Sequence, residues 1–391
     1  MTRPAINSGP LDALLVTRNL PPLRGGMERL CLHIALSLSN GGYNLSVIGP
    51  EGCAAHLPAP VRVREIPYRP LVRFFIAASR AVCVAARRGP VVVIAGSGLT
   101  APFAWFAARS TNARFVVYLH GLDIIARSAV YQFFWLPFIR RADLILVNSD
   151  STGRLAQMRG IQKNRIEVLH PGTEVPGPDA EARRLFREEH GLGERPVLLS
   201  VGRLTPRKGL AEFIKLALPA ILAQHPDAVF LVIGADADDA ARPASESQLE
   251  RIFRAANEAG VSAALRVLPP CDDAMLTSAY RAADAHVFPV LDLPGDVEGF
   301  GMVAIEAAAH GVPTVGFRVG GVPDAIVEGV SGSLIEPHDY GGFAVQVSHW
   351  VGQGGRPMLQ ARCVAAATGY GWPRFGERLH SLLGALLGNG A

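Results

Sequence analysis

Cysteine is scarce in this chain and none of it is arranged for chemistry: the five thiols, at positions 31, 53, 83, 271 and 363, show no CxxC spacing and no Cys/His pairing. An odd, dispersed set excludes a disulfide framework and a zinc site, and matches reduced thiols in the cytosol. Lysine is scarcer still. Lys163, Lys208 and Lys215 are the only three among 38 basic residues, so arginine carries most of the positive charge. A long uninterrupted apolar helix is missing too. Residues 89–108 contain no charge, but Gly96, Ser97, Gly98 and Pro102 interrupt them, so strand, turn and helix are expected there instead of one span of about twenty residues. The N-terminus has no basic segment leading into an apolar run, and no signal peptide is expected. No repeat of solenoid length is visible. These absences favour a cytoplasmic globular protein, with a peripheral position at the inner face of the plasma membrane as the alternative.

With 391 residues, 49% of them hydrophobic, and a mean hydropathy of +0.23, the chain exceeds what one core usually organises. Two domains are expected. The net charge of +4 is unevenly divided. Residues 1–175 hold 20 Lys/Arg against 9 Asp/Glu, a balance of +11, and the remainder holds 18 against 25, a balance of −7. A basic N-terminal half points to an anionic partner on that side, and genomic preference for arginine is the competing explanation.

Along the chain, residues 11–16 form an apolar strand, 17–26 a turn-rich loop ending in Gly25-Gly26, and a helix follows with Leu30, Ile34 and Leu38 on one face. Strand 45–48 comes next. That order opens a doubly wound α/β domain, where ligands sit at the carboxyl ends of strands. Residues 71–88 read as a helix with arginines at 73, 80, 87 and 88, suited either to packing with a solvated rim or to an anionic surface. Strand 91–95 runs into Gly96-Ser97-Gly98-Leu99-Thr100-Ala101, which fits G-x-G-x-x-A and so a dinucleotide; the usual acidic partner at the end of the next strand is missing, because strand 114–119 ends in His120-Gly121-Leu122-Asp123. A tight turn is the other explanation. Strand 144–147 precedes an N-cap at Asn148-Ser149, and strand 166–169 precedes His170-Pro171-Gly172. Residues 176–196 read as a linker with a short helix at 183–189.

The pattern then restarts. Strands are expected at 197–201, 229–233, 264–268, 285–290, 313–316 and 333–335, alternating with helices, one of them running to about residue 222. Helices at 343–351 and 358–367 and a terminal amphipathic helix at 372–387 close the chain. The expected organisation is an N-terminal domain 1–175, a linker 176–196, a C-terminal domain 197–370 and a helix 371–391 returning to the first domain.

One stretch organises the rest: residues 287–321, VFPVLDLPGDVEGFGMVAIEAAAHGVPTVGFRVGG. A helix start near Gly299-Phe300-Gly301 offers unpaired N–H groups and partial positive charge to an anion. Glu298 and Glu306 stand beside it. Carboxylates do not bind phosphate, so they need hydroxyls to accept from, and phosphate beside hydroxyls describes a sugar nucleotide. Arg203 and Lys208 share one glycine-bounded loop, 202–209, after strand 197–201. Two cations can neutralise a departing diphosphate without a metal. No Asp-x-Asp is clearly placed after a strand: Asp236 and Asp238 follow Gly234 in a charged, alanine-rich loop that reads as solvated.

HGLD at 120–123, VGRLTPRKG at 201–209, the E-x7-E pair Glu298 and Glu306, and the early Gly25-Gly26 together resemble the retaining glycosyltransferases of family 4, also called glycosyl transferases group 1. The resemblance covers nearly the whole chain. It implies the GT-B fold, two Rossmann-like parallel-sheet domains facing across a cleft. It also implies a metal-independent, retaining transfer from a UDP- or GDP-sugar, with no cofactor. Carried over, Arg203 and Lys208 hold the diphosphate, Glu306 accepts from the ribose hydroxyls, and Glu298 orients the transferred sugar with the backbone N–H groups of Phe300, Gly301 and Met302 beside Gly299. Gly25 and Gly26 approach the phosphate, His120 contacts the donor sugar, and Asp123 joins the substrate-binding set. Retention in the family is described as front-face substitution, with the leaving phosphate taking the acceptor's proton. That fits a chain offering no obvious general base. The implied partners are a nucleotide sugar and a glycan, lipid-linked or small-molecule acceptor, with an anionic membrane surface as a further partner and no nucleic acid.

The chain departs from the family at His170-Pro171-Gly172, where many members have Pro-Asn-Gly, and in the acidic segment 291–297, where Asp292 and Asp296 are expected to shape the sugar site. The competing functions are a dinucleotide-dependent oxidoreductase using the 96–101 loop and a non-catalytic sugar-nucleotide-binding protein of the same fold.

Overall fold

The structure, a computed structural model, describes residues 10–126, 128–177, 179–236, 247–353 and 357–388. It divides into two units, one formed by the chain up to Pro171 together with the segment from Trp372, the other by Gly172–Gly371.

The first unit is built on seven parallel strands: β1 Asp12–Val16, β2 Asn44–Pro50, β3 Arg62–Ile66, β4 Val92–Ala95, β5 Arg114–Leu119, β6 Leu144–Val147 and β7 Ile166–Val168, in the order β3-β2-β1-β4-β5-β6-β7. The second holds six: β8 Val197–Val201, β9 Val229–Ile233, β10 Leu265–Leu268, β11 Ala285–Phe288, β12 Thr314–Phe317 and β13 Gly332–Ile335, in the order β10-β9-β8-β11-β12-β13. Central strands such as VVIA at β4 and VFLVI at β9 are buried along their whole length. Helices cover both faces of a parallel sheet, which is why these strands read as continuous apolar runs. In each unit the order reverses once, between β1 and β4 and between β8 and β11. Ligands of doubly wound sheets bind outside the strands' carboxyl ends at such points, and the loops after those four strands carry most of the candidate site residues.

Three elements differ from expectation. β3, Arg62–Ile66, is not among the expected strands, because its arginines and glutamate hide it; as a sheet edge it tolerates them. The helix expected to reach residue 222 breaks into Leu210–Leu216 and Leu218–Gln224, since Pro219 has no N–H to continue the ladder. The segment expected as a linker is fastened to the second unit. Its helix, Ala180–Glu189, buries Arg187, which donates through Nε and Nη2 to the carbonyl of Ala282 and through Nη2 to Asp284 at 2.8 Å; Arg183 reaches the other Asp284 oxygen, also at 2.8 Å.

Within the first unit, the helix Trp372–Leu387 lies on the helix Gly26–Asn40. The His33 and Trp372 rings stack at 3.7 Å, and His380 Nε2 donates to the carbonyl of Ser37 at 2.8 Å. Stacking against Trp372 takes His33 out of water, and that burial, with Arg29 nearby, lowers its pKa to about 4. The helix Leu71–Ala86 buries Phe74, Ala78, Ala81 and Val82. Its outer face presents Val72, Ile76, Arg73, Arg80 and Cys83 to solvent. Phe75 on that helix packs against Trp135, next to exposed Phe133 and Phe134. No helix among the described residues is long and apolar enough to cross a membrane.

Candidate functional site

In the second unit the loop after β8 is drawn onto the end of β11 by Gly209. Its φ of 63° is left-handed, and a Cβ there would strike the carbonyl of Pro289. Only glycine meets both conditions without strain. The carbonyl of Arg207 accepts from Leu291 N–H at 2.8 Å, joining the two loops directly.

This approach assembles a buried charge cluster. Lys208 Nζ lies 4.6 Å from the centre of the Phe288 ring and donates to Glu298 Oε2 at 2.9 Å. Arg207 donates through Nη1 to the same Oε2 and through Nε to Asp296 Oδ1 at 2.9 Å. Burial by itself would raise the Glu298 pKa, but Lys208 and Arg207 overcome it and hold the carboxyl down at about 2. Burial lowers the Lys208 ammonium, with Arg207 and Arg203 adding to the shift and Glu298 opposing it. Arg207 moves the other way: burial would lower it, and Glu298 and Asp296 raise it.

Glu298 opens the loop into the helix Met302–Ala309. Gly301, φ 96°, starts that helix, and a Cβ on it would come within 2.8 Å of the Phe288 ring. Gly320 and Gly321 seat the loop from below. A Cβ on Gly320 would lie 2.5 Å from the carbonyl of Glu298, and Gly321 N–H donates to that carbonyl at 2.8 Å. Phe300 and Gly301 are buried, Gly299 and Met302 half-buried. Four residues into the helix, Glu306 is buried and accepts from Tyr280 Oη at 3.1 Å. The Tyr280 ring stacks on His310, whose Nδ1 donates to the carbonyl of Glu306 at 2.7 Å.

The structure thus brings Lys208, Glu298, Gly299, Phe300, Gly301, Met302 and Glu306 onto the loops and helix that follow β8 and β11. Arg203 stands on the same loop as Lys208 but is exposed, and its charge is felt at Lys208. The arginine in the cluster is Arg207, which sequence reasoning passed over; Asp296 and Glu298, two residues apart, were the available signal, since a buried carboxylate pair requires cations. Of the two aspartates expected to shape that segment, Asp296 is tied to Arg207 and Asp292 is exposed. Asp236 accepts from Ser247 Oγ and Leu249 N–H at the start of the helix Gln248–Glu258, and Asp238 lies outside the described residues.

In the first unit the candidate residues sit after β1, β4 and β5. Gly25 and Gly26 are exposed, and a Cβ on Gly25, φ 153°, would meet the Glu28 carboxylate, itself held by Asn19 Nδ2 at 2.6 Å. His120 Nε2 donates to the carbonyl of Gly96 at 2.8 Å, and its backbone N–H donates to Asp123 Oδ2 at 3.1 Å. Asp123 therefore fixes the His120 backbone. The 96–101 loop is a packed turn: a Cβ on Gly98 would meet Tyr131 Oη, Asp123 and Ile139, and one on Gly96 would lie 2.7 Å from Thr17 Oγ1. Those side chains occupy the space in which a dinucleotide pyrophosphate would approach Gly98, which speaks for the tight-turn alternative.

Family models match most of the chain. "Glycosyltransferase Family 4" matches residues 24–175 and "Glycosyl transferases group 1" matches residues 182–368. Among curated relatives, D-inositol 3-phosphate glycosyltransferase of Mycolicibacterium smegmatis is 32% identical over 216 residues, 54% of this chain and 45% of that protein. The enzyme of the same name from Mycobacterium tuberculosis is 33% identical over 241 residues, 60% and 47%. The chain spans about half the length of the curated relatives it matches. Among solved structures, Anabaena HepE in complex with UDP and glucose aligns at a TM-score of 0.74 and 17% identity, covering 96% of this chain and all of that one. A glycosyltransferase from Rickettsia africae aligns at 0.76 and 15%, covering 97% and 100%. Those structural likenesses establish the fold, and with the two family models they place the chain among the group 1 and family 4 glycosyltransferases, of GT-B fold.

Proposed function

We propose that this protein is a metal-independent, retaining glycosyltransferase that moves a sugar from a UDP- or GDP-sugar to an acceptor. The observation that carries the reading is the cluster at the β8/β11 switch point. Among the described residues, the two cations that touch Glu298 converge on Oε2, and Oε1 is the oxygen proposed to accept from a sugar hydroxyl, a few residues before a helix start suited to phosphate. In the reaction the bond from the anomeric carbon to the β-phosphate oxygen breaks while the acceptor hydroxyl oxygen bonds to that carbon on the same face. The hydroxyl proton passes to the departing phosphate oxygen. Lys208 and Arg203 take up the charge that grows on the leaving group, and the N–H groups of Phe300 to Met302 assist from the helix start. Glu306, steadied by Tyr280, accepts from the ribose hydroxyls. In the first unit, Gly25, Gly26, His120 and Asp123 are the proposed substrate-binding residues, with His120 for the sugar.

The basic first unit supports an anionic acceptor, whether a small phosphate-bearing polyol of the kind named for the curated relatives or a lipid-linked glycan at the cytoplasmic membrane face. The second is favoured by the outer face of Leu71–Ala86, where Val72 and Ile76 alternate with Arg73 and Arg80 near exposed Phe133 and Phe134. Co-sedimentation is expected with anionic vesicles and not neutral ones; equal binding to both, or to neither, rejects the membrane partner. The donor reading is tested by a thermal-shift panel of UDP, GDP, ADP and their sugars, in which a ligand of the folded state raises stability by mass action. A shift with one nucleotide series supports it, and no shift with any contradicts it.

A further inference from the structure

Arg207 takes no direct part in the proposed transfer, yet it is the most completely engaged cation of the second unit's site. Its guanidinium joins Asp296 and Glu298 and is almost wholly buried, at 8% exposure, and its backbone carbonyl holds Leu291. Lys208 and Arg207 share one oxygen of Glu298. A diphosphate arriving at Lys208 competes for that ammonium, and whatever charge it withdraws from Glu298 has to come from elsewhere, because a buried carboxylate without a cation is strongly disfavoured. Arg207 is the remaining neighbour. Its planar fork suits the task better than a second lysine, since two of its nitrogens reach different carboxylates at once.

We propose that Arg207 is a positioning residue for the donor sugar. It keeps Glu298 ionised and fixed when Lys208 turns to the diphosphate, and through Asp296 it holds segment 291–297 as a wall of the sugar site. The proposal rests on the donor-site reading above. Without Arg207 the cluster would set two cations, Lys208 and Arg203, against two carboxylates and an incoming diphosphate. The groups that face Glu298 are Lys208 and Arg207; behind them lie Asp296, Arg203 and the buried His286, which feels Lys208.

The test separates grip on the sugar from grip on the nucleotide. Calorimetry compares UDP-glucose with UDP, and GDP-mannose with GDP, on the native chain and on Arg207→Gln, Arg207→Lys and Asp296→Asn. In the native chain Glu298 stays ionised between about pH 5 and about pH 8, so the ratio of the two affinities is expected to follow only the second phosphate ionisation of the free diphosphate, at about pH 6. In Arg207→Gln the ratio is expected to fall about tenfold, as on loss of a charged hydrogen bond, and to fall further toward the acid end, since burial is then opposed by Lys208 alone. Arg207→Lys should restore the shape of the pH profile but only part of the ratio, since one ammonium keeps Glu298 ionised without also holding Asp296. Asp296→Asn should keep the native profile with a loss of about threefold, a single weakened contact. A ratio in Arg207→Gln equal to that of the native chain at every pH, with only a lower melting temperature, overturns the proposal and leaves the donor site standing. Failure of the native chain to bind either pair overturns the donor-site reading, and this proposal with it.

Discussion

The two units repeat one architecture and differ in what they place at the point where strand order reverses. In the first, the groups after β1, β4 and β5 bond to neutral partners: His120 to the Gly96 carbonyl, Asp123 to the His120 amide, Glu28 to the Asn19 amide. In the second, Arg207, Lys208, Asp296 and Glu298 form a buried ionic cluster in front of a helix start. Topology alone therefore does not assign chemistry. A carboxylate met by one neutral donor costs little to hold, whereas a buried ionic cluster is worth its desolvation only where charge must be met.

Four experiments break or sharpen this contrast. The largest effect is expected from Lys208→Ala, with turnover falling by about a hundredfold or more and nucleotide affinity changing far less, because leaving-group charge develops in the transition state. Arg203→Ala should act in the same sense and more weakly, as its side chain is exposed. Steady-state kinetics beside calorimetry decides it, and unchanged turnover in both variants counts against their role. Next, Glu306→Ala is expected to weaken the free diphosphate about tenfold, as on loss of charge-assisted hydrogen bonds, whereas His120→Ala in the first unit should leave free-diphosphate affinity unaltered and lower turnover. Equal losses of affinity in the two variants would erase the distinction between the units. EDTA should not change activity; its abolition with rescue by one divalent ion would replace the cation pair with a metal.

The smallest effect concerns acid stability. Burial, with Lys208 nearby, lowers the His286 pKa to about 3. A histidine with a depressed folded pKa contributes its full stability above its unfolded pKa near 6.5 and loses it as pH falls toward 3, at up to about 1.4 kcal/mol per pH unit. Glu298 acts in the same direction lower down, losing its contribution as pH falls below its unfolded range toward 2. In the first unit His33 is lowered to about 4, by burial and Arg29. The second unit should therefore be the more acid-sensitive, and His286→Asn should flatten that part of its unfolding profile. Equal acid profiles for native chain and variant would contradict this.

Much of the architecture was legible because fully buried parallel strands have a plain signature: 114–119, 144–147, 197–201 and 229–233 coincide with β5, β6, β8 and β9. β3 was not, since an edge strand need not be apolar. At the second unit's site, the residue types, glycine spacing and helix start pointed to Lys208, Glu298 and Glu306. The choice between Arg203 and Arg207 could not be read, because both lie in one loop and only the fold decides which guanidinium is buried against Asp296 and Glu298. Tyr280 was invisible for a related reason: it lies 26 residues before Glu306, on a helix whose facing partner is set by tertiary packing.

The measurement that bears most directly on the account is amide hydrogen exchange on the full chain with and without saturating UDP or GDP. Slower exchange at residues 202–209 and 298–306 is the predicted result. Protection centred on residues 96–101, with those two segments unaffected, would contradict it.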